Sequence, residues 1–135
     1  MLNNNLAYVK YLLSSEQDVS WGMVVTTVGQ QIIKPGMVYP SKNHPKCYQF
    51  SIDKGRTLNE YQLVYISSGS GNFKSSKLKN TKISEGMAFL LFPDEWHSYH
   101  PNPQTGWHES WIGFTGRDMQ KRMEAGFFSP EKPLF

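Results

Sequence analysis

Residues 86–116 read GMAFLLFPDEWHSYHPNPQTGWHESWIGFTG, and their order decides the fold. Ser84-Glu85-Gly86 turns into MAFLLF (87–92), a short, almost wholly apolar strand ended by Pro93-Asp94-Glu95. WHSYH (96–100) follows, the loop PNPQTG (101–106) reverses the chain, and WHESWIGF (107–114) runs as a further strand. Short strands about ten residues apart, punctuated by Gly and Pro with no helix between them, read as a sandwich or closed barrel.

The same reading extends upstream. LNEYQLVYISS (58–68) is a long alternating strand, GSG (69–71) a turn before NFKSSKLKNTKI, and CYQFSID (47–53) another strand. PGMVYPSKNHP (35–45) carries three prolines and reads as an extended surface loop. WGMVVTTVGQQIIKPG, from Trp21, is rich in β-branched residues and reads as a strand pair punctuated by turns. Residues 3–14 place Leu6, Val9, Leu12 and Leu13 at helical spacing after Asn caps, the pattern of a short amphipathic helix. Downstream, TGRDMQKRMEAG forms a helix with Thr115 as N-cap, Asp118 in its first turn and Gly126 as its stop; Pro130 and Pro133 then break regular structure. The expected architecture is all-β: a jelly-roll barrel over residues 21–135, preceded by an arm at residues 1–20, with a short N-terminal helix and a C-terminal helix.

Composition bounds the function. A chain of 135 residues that is 39% apolar and 14% aromatic has the size and material for one domain with one core, which excludes a disordered chain. The net charge of +3 is scattered, with no basic run longer than two, so no nucleic-acid-binding face is expected within these residues. The single cysteine, Cys47, excludes an internal disulfide and a multi-cysteine zinc site; it reads as a small buried hydrophobe. No apolar stretch approaches the ~18 residues of a membrane span, and the N-terminus has no cleavage signal, so a soluble cytoplasmic chain without membrane contact is expected.

Alternation along 107–114 gives a candidate pocket. Trp107, Glu109, Trp111 and Gly113 share one face; His108, Ser110, Ile112 and Phe114 share the other. Two indoles flanking a carboxylate suit a carbohydrate, whose apolar face lies on an aromatic ring while its hydroxyls donate to the acid. The alternative is that both tryptophans fill the core and Glu109 faces water.

The 86–116 motif resembles the N-terminal ligand-sensing domain of AraC/XylS-type transcription regulators. Tyr61-Gln-Leu-Val-Tyr65 with Gly69-Ser-Gly71, and Gly126-Phe-Phe-Ser-Pro130, are similar to the strand and turn opening that family's barrel and to the segment leaving it. The resemblance implies a cupin-like β-barrel that binds a small effector, often a sugar, and forms a homodimer. It also implies a C-terminal helix-turn-helix pair that reads DNA, of which these residues show no trace. Carried over singly, its effector-holding positions fall on Arg56, Tyr99, Glu109 and Trp111, with Trp107 and His97 beside them. Glu109 stands where the best-known sugar sensor has a histidine, so the same effector is not expected. Tyr61, Tyr65 and Trp21 are further wall candidates, with core packing as their alternative. The N-terminal arm is either a lid or a helix packed outside by Leu6, Val9 and Leu13; the C-terminal helix is either a barrel cap or part of a dimer interface.

A metal-holding cupin needs His-x-His and Glu on one strand plus a later His. EYQLVYISSG has no histidine, so no metal or cofactor is expected, and His97 reads as a hydrogen-bonded residue at the barrel rim. The expected function is non-catalytic sensing. One rival is a cupin enzyme with a metal on His97, His100 and His108; another is a dimerisation module whose barrel is filled by Trp107 and Trp111.

Overall fold

In the computed structural model, residues 7–37, 52 and 54–135 are described. Their elements are β1 (Ala7–Tyr11), α1 (Glu16–Trp21), β2 (Val24–Ile33), β3 (Tyr61–Ser75), β4 (Thr81–Ser84), β5 (Ala88–Leu91), β6 (His97–Pro101), β7 (Trp107–Thr115) and α2 (Arg117–Glu124). Every strand pairing is antiparallel, in the order β1-β2-β7-β3 with β4, β5 and β6 also on β3. The result is the expected all-β, jelly-roll-like fold with two helices.

Strand β3 joins the two halves of the barrel. Its first part, Tyr61–Gly69, lies against β7, with β5 on its other side; its second, from Ser70, lies between β4 and β6. The changeover falls on Gly69-Ser-Gly71, read from sequence as a turn. Here the strand does not stop: the register slips between Ile66 and Ser68, and Gly69 takes φ +85°. The local bend moves the strand from one sheet to the other. A Cβ on Gly69 would stand 2.1 Å from the Gly106 carbonyl oxygen, and one on Gly71 2.2 Å from that of His100. Glycines are therefore required by close backbone approach rather than by chain reversal.

The apolar run 87–92 is explained by burial on both faces. Phe89 and Leu91 enter the barrel interior with Phe73, Ile83, Val64 and Ile66. Leu90 and Phe92 point outward, where Met119 of α2 covers them together with Met23, Leu63, Phe114 and Phe128. Each such side chain, fully buried, contributes on the order of 1.5–3 kcal/mol.

The N-terminal region differs from its sequence reading. A short helix is present, but at Glu16–Trp21; of the helix expected at 3–14, residues 3–6 lie outside the described residues and the rest carries strand β1 over Ala7–Tyr11, paired with β2 from Ala7↔Gln31 to Tyr11↔Thr27. Ser15 and Asp18 form a capping box, each side chain bonded to the other's backbone N–H, and this start signal sets the helix at Glu16. Leu13 is fully exposed and Val9 lies on β1, so these two do not share a helix face; Leu6 lies outside the described residues. The strand pair expected between Trp21 and Gly36 is one ten-residue strand, β2. Helix α2 starts at a Gly116 N-cap without a side-chain bond, because Thr115 still belongs to β7. The strand expected at 47–53, most of the 35–45 loop and Cys47 lie outside the described residues.

Gly69→Ala is expected to lower stability by about 2 kcal/mol or more, combining a left-handed backbone with overpacking. Gly36→Ala, at φ +79° with nothing within 4 Å of the new Cβ, isolates the backbone part. Urea denaturation of both variants checks this: the Gly69 variant should lose clearly more.

Candidate functional site

The inner wall is a set of cross-strand rows. Trp111 on β7 lies between Gly29 on β2 and Val64 on β3; Glu109 lies between Gln31 and Ile66; Trp107 lies between Ile33 and Gly69. Each row repeats the inward phase of β7, whose residues 107, 109, 111 and 113 are buried. The two indoles fit because glycines face them. A Cβ on Gly29 would meet the Trp111 ring at 2.2 Å, and one on Gly71 the Trp107 ring at 2.4 Å. Each ring thus lies over a neighbouring strand's bare backbone.

Glu109 is 2% exposed, which removes the alternative that it faces water. Taking an ionised carboxylate out of water costs several kcal/mol unless its oxygens are met, so packing alone does not account for an acid at this position.

A second group comes from the β6 side. Arg56 and His97 exchange backbone hydrogen bonds, both 3.0 Å, which fixes Arg56 against the barrel just before β3. Arg56 Nε–H donates to His97 Nε2 at 3.0 Å, and an Arg56 Nη2 hydrogen goes to the Tyr99 hydroxyl at 2.6 Å. The guanidinium carbon lies 5.5 Å from the Tyr99 ring centre. Tyr99 lies 6.2 Å from Trp107, centroid to centroid, and this contact joins the arginine group to the indole wall.

His97, the first residue of β6, is hydrogen-bonded as expected and 1% exposed. Burial, reinforced by the Arg56 charge and opposed by a bond to the Glu95 carbonyl, holds its pKa down to about 3. The ring is neutral, with Nε2 accepting from Arg56 and Nδ1–H directed at Glu95 O, 3.3 Å away. A neutral histidine and a phenol therefore take two of the guanidinium's donors.

At the other end of the wall stands a polar cluster. The Gln62 amide donates to Glu60 at 3.3 Å, the Thr26 hydroxyl bonds the same carboxylate, and Thr27 is 3% exposed beside them. Gly113 makes the room: a Cβ there would lie 2.4 Å from Thr27 Oγ1.

The structure thus brings Arg56, His97, Tyr99 and Trp107 into one connected group, with Glu109 and Trp111 further along the same inner face. It does not bring in Tyr65, which is 46% exposed because Val64 and Ile66 take the inward phase of β3. Tyr61 also points outward, stacked on Phe114 at 5.7 Å, and Trp21 ends α1 at 81% exposure. Gln31, Gln62, Glu60 and Thr27 were missed. Reading 21–36 as two strands loses the phase of β2, whereas one unbroken alternation carries Thr27, Gly29, Gln31 and Ile33 to a single face.

The histidines of the metal-enzyme reading do not converge. His97 Nε2 is engaged by a cation, while His100 and His108 take the opposite phase of β6 and β7 from the buried Tyr99 and Glu109. Among the described residues no three His, Cys, Asp or Glu side chains gather as a metal site. This donor set does not fit a cupin metal.

A separate hollow of about 360 Å³ lies outside the barrel under α2, lined by Met23, Leu63, Leu90, Phe114, Met119 and Phe128, with Arg122 alongside. Its lining is almost wholly apolar.

Fold and interior together define a small jelly-roll binding barrel. Residues 46–135 match the family model of the AraC-like ligand binding domain, and the chain belongs to that family. A search of curated proteins found no match. Among solved structures it is similar to YhaK from Escherichia coli, at 15% identity and TM-score 0.56 over 82% of this chain and 44% of that one. It is similar to an oxalate decarboxylase from Bacillus subtilis at 15% identity and TM-score 0.51, over 96% of this chain and 28% of that one. A cupin superfamily protein from Desulfitobacterium hafniense aligns at 9% identity and TM-score 0.48, over 81% and 77%. The chain spans less than half the length of the first two. At these identities the likeness to the first two is one of fold. No helix among the described residues is long and apolar enough to cross a membrane.

The histidine gives a pH prediction. Unfolded, His97 binds a proton near pH 6.5; folded, it does so only near 3. Between these values unfolding takes up one proton, so stability falls as pH falls, by about 1.4 kcal/mol per unit from this group. Urea denaturation from pH 7.5 to 5 should show the slope, and His97→Gln should flatten it by about one proton; an unchanged slope would place His97 in water.

Proposed function

We propose that this chain is the effector-sensing domain of an AraC-type transcription regulator, holding a small polar molecule, a sugar, inside the barrel without transforming it. Arg56, His97, Tyr99, Trp107, Glu109 and Trp111 form the seat. Occupancy controls a DNA-binding domain carried elsewhere in the full-length protein, and the domain works as a homodimer in the cytoplasm, with residues 1–20 as an arm on the barrel of 21–135.

The observation that carries this reading is the guanidinium held against the barrel by two neutral acceptors, beside an indole wall that also buries a carboxylate. Arginine and carboxylate offer donors and acceptors to hydroxyls, and the indoles offer an apolar surface to a sugar ring. Family membership supports ligand binding over catalysis, and the histidine geometry argues against a metal enzyme. Regulation then follows linkage: the effector shifts the protein between two arrangements by no more than its difference in affinity for them.

Calorimetric titration with mono- and oligosaccharides and other small metabolites is expected to find at least one ligand. Arg56→Met and Tyr99→Phe should each weaken it about tenfold or more, the loss of one hydrogen bond to a charged or polar partner. Silence across the panel, or metal at one equivalent in the purified protein, would overturn the reading.

A further inference from the structure

Two glutamines enter the barrel from rows on either side of Trp111, and their circumstances differ. Gln62, on β3, is 1% exposed, and its amide donates to Glu60 at 3.3 Å. Gln31, on β2, is 0% exposed, and neither its Nε2 nor its Oε1 has a hydrogen-bond partner. A carboxamide has two donors and an acceptor with two lone pairs, so burying it unmet forfeits all its bonds to water and regains none. Buried polar groups in folded proteins are nearly always paired, and an orphaned pair on one side chain requires a reason.

The neighbours of Gln31 supply it. Antiparallel register sets Gln31 directly opposite Glu109, on the same inner face, so the two Cβ atoms stand about 5 Å apart. The amide still makes no bond to that carboxylate. Two residues back on the same face is Gly29, over whose backbone the Trp111 ring lies. Two residues on, Ile33 is 3% exposed within the main core cluster. A leucine or methionine at position 31 would fill the volume without stranding two polar atoms. Placing an amide there sacrifices stability in the empty protein, a pattern found where a side chain is kept for a bound partner.

We infer that Gln31 is a specificity-determining contact, and that its carboxamide reads two adjacent hydroxyls of a cyclic sugar or polyol. The inference rests on the sensor reading above and assigns that site a residue and a ligand pattern. Nε2–H donates to one hydroxyl oxygen while Oε1 accepts from the next. The ligand must satisfy a donor and an acceptor side by side, which vicinal hydroxyls do. A carboxylate or phosphate ligand offers acceptors only; it would leave Oε1 unmet and face Glu109 across the strand pair. An apolar ligand would leave both atoms unmet. Discrimination follows because a site built to bond a hydroxyl strongly rejects the analogue lacking it.

The test compares the wild-type protein with Gln31→Met, a substitution close in volume that removes both polar atoms. Probes are D-ribose, D-glucose and myo-inositol, with 2-deoxy-D-ribose and 2-deoxy-D-glucose as partners lacking one hydroxyl of a pair; binding is followed by calorimetry and unliganded stability by urea denaturation. The expected result has three parts. Wild type binds at least one probe. Gln31→Met binds it about tenfold more weakly or worse, and no longer distinguishes it from its deoxy partner. The unliganded variant is as stable as wild type or more so. Equal binding by wild type and variant would overturn the role of Gln31 while leaving the sensor reading intact. A lower denaturation midpoint for the variant would show that the amide serves the fold and would also overturn it. If wild type binds none of the probes, the ligand class falls, and with it the sugar reading on which the inference stands.

Discussion

The interior depends on Trp107. Its ring lies over Gly71 of β3, its Cα stands 2.6 Å from where a Gly69 side chain would begin, and its indole neighbours Tyr99 of β6. One side chain therefore touches both halves of the barrel at the point where β3 leaves one for the other. It is 2% exposed, and an aromatic of this size buried at a crossing supplies both area and a fixed angle. The two glycines are the matching condition, because a side chain on Gly71 would collide with the indole and the His100 carbonyl of β6, and one on Gly69 with the backbone of Gly106 and Trp107. From that contact follow the spacing of the halves and the direction in which β7 presents Glu109 and Trp111.

The polar groups inside this frame work against stability, and the frame carries them. His97 stays neutral so that its Nε2 accepts from Arg56; the same burial that keeps it neutral makes the fold sensitive to acid. Arg56 is held from two sides, by paired backbone bonds to β6 and by side-chain bonds to His97 and Tyr99. A guanidinium fixed in this way is pre-organised, so a ligand that meets it has less ordering to do. The outer hollow under α2 has no such apparatus. It is lined by methionine and phenylalanine, which join helix to sheet but distinguish one ligand from another poorly.

Much of this was legible in the sequence. The 86–116 motif gave the strand order of the second half, and alternation along 107–114 placed Trp107, Glu109 and Trp111 on one face, as the structure does. Where the reading failed, two local signals competed. Gly-Ser-Gly is a turn signal, but here close backbone approach demanded the glycines while the strand ran on. Leu6, Val9 and Leu13 fit a helical stripe, yet Tyr8, Val9 and Tyr11 favour a strand, and the partner β2 tipped the balance. Tyr65 was misplaced although its own strand held the answer, because Val64 and Ile66 are the apolar positions of the inward phase. Gln31 was illegible for a different reason: its inward position depends on β2 being unbroken and on the Gln31↔Glu109 register, and of two adjacent glutamines in a strand-like stretch neither carries a mark of burial.

In the proposed sensor, the barrel interior, lined by β2, β6 and β7, is the seat of a polar ligand. A crystal structure of the protein with the tightest-binding sugar tests this most directly. The predicted result is density for the sugar among Tyr99, Trp107, Glu109 and Gln31. Density in the apolar hollow beneath α2, or on the outer face of the sheet, would contradict it.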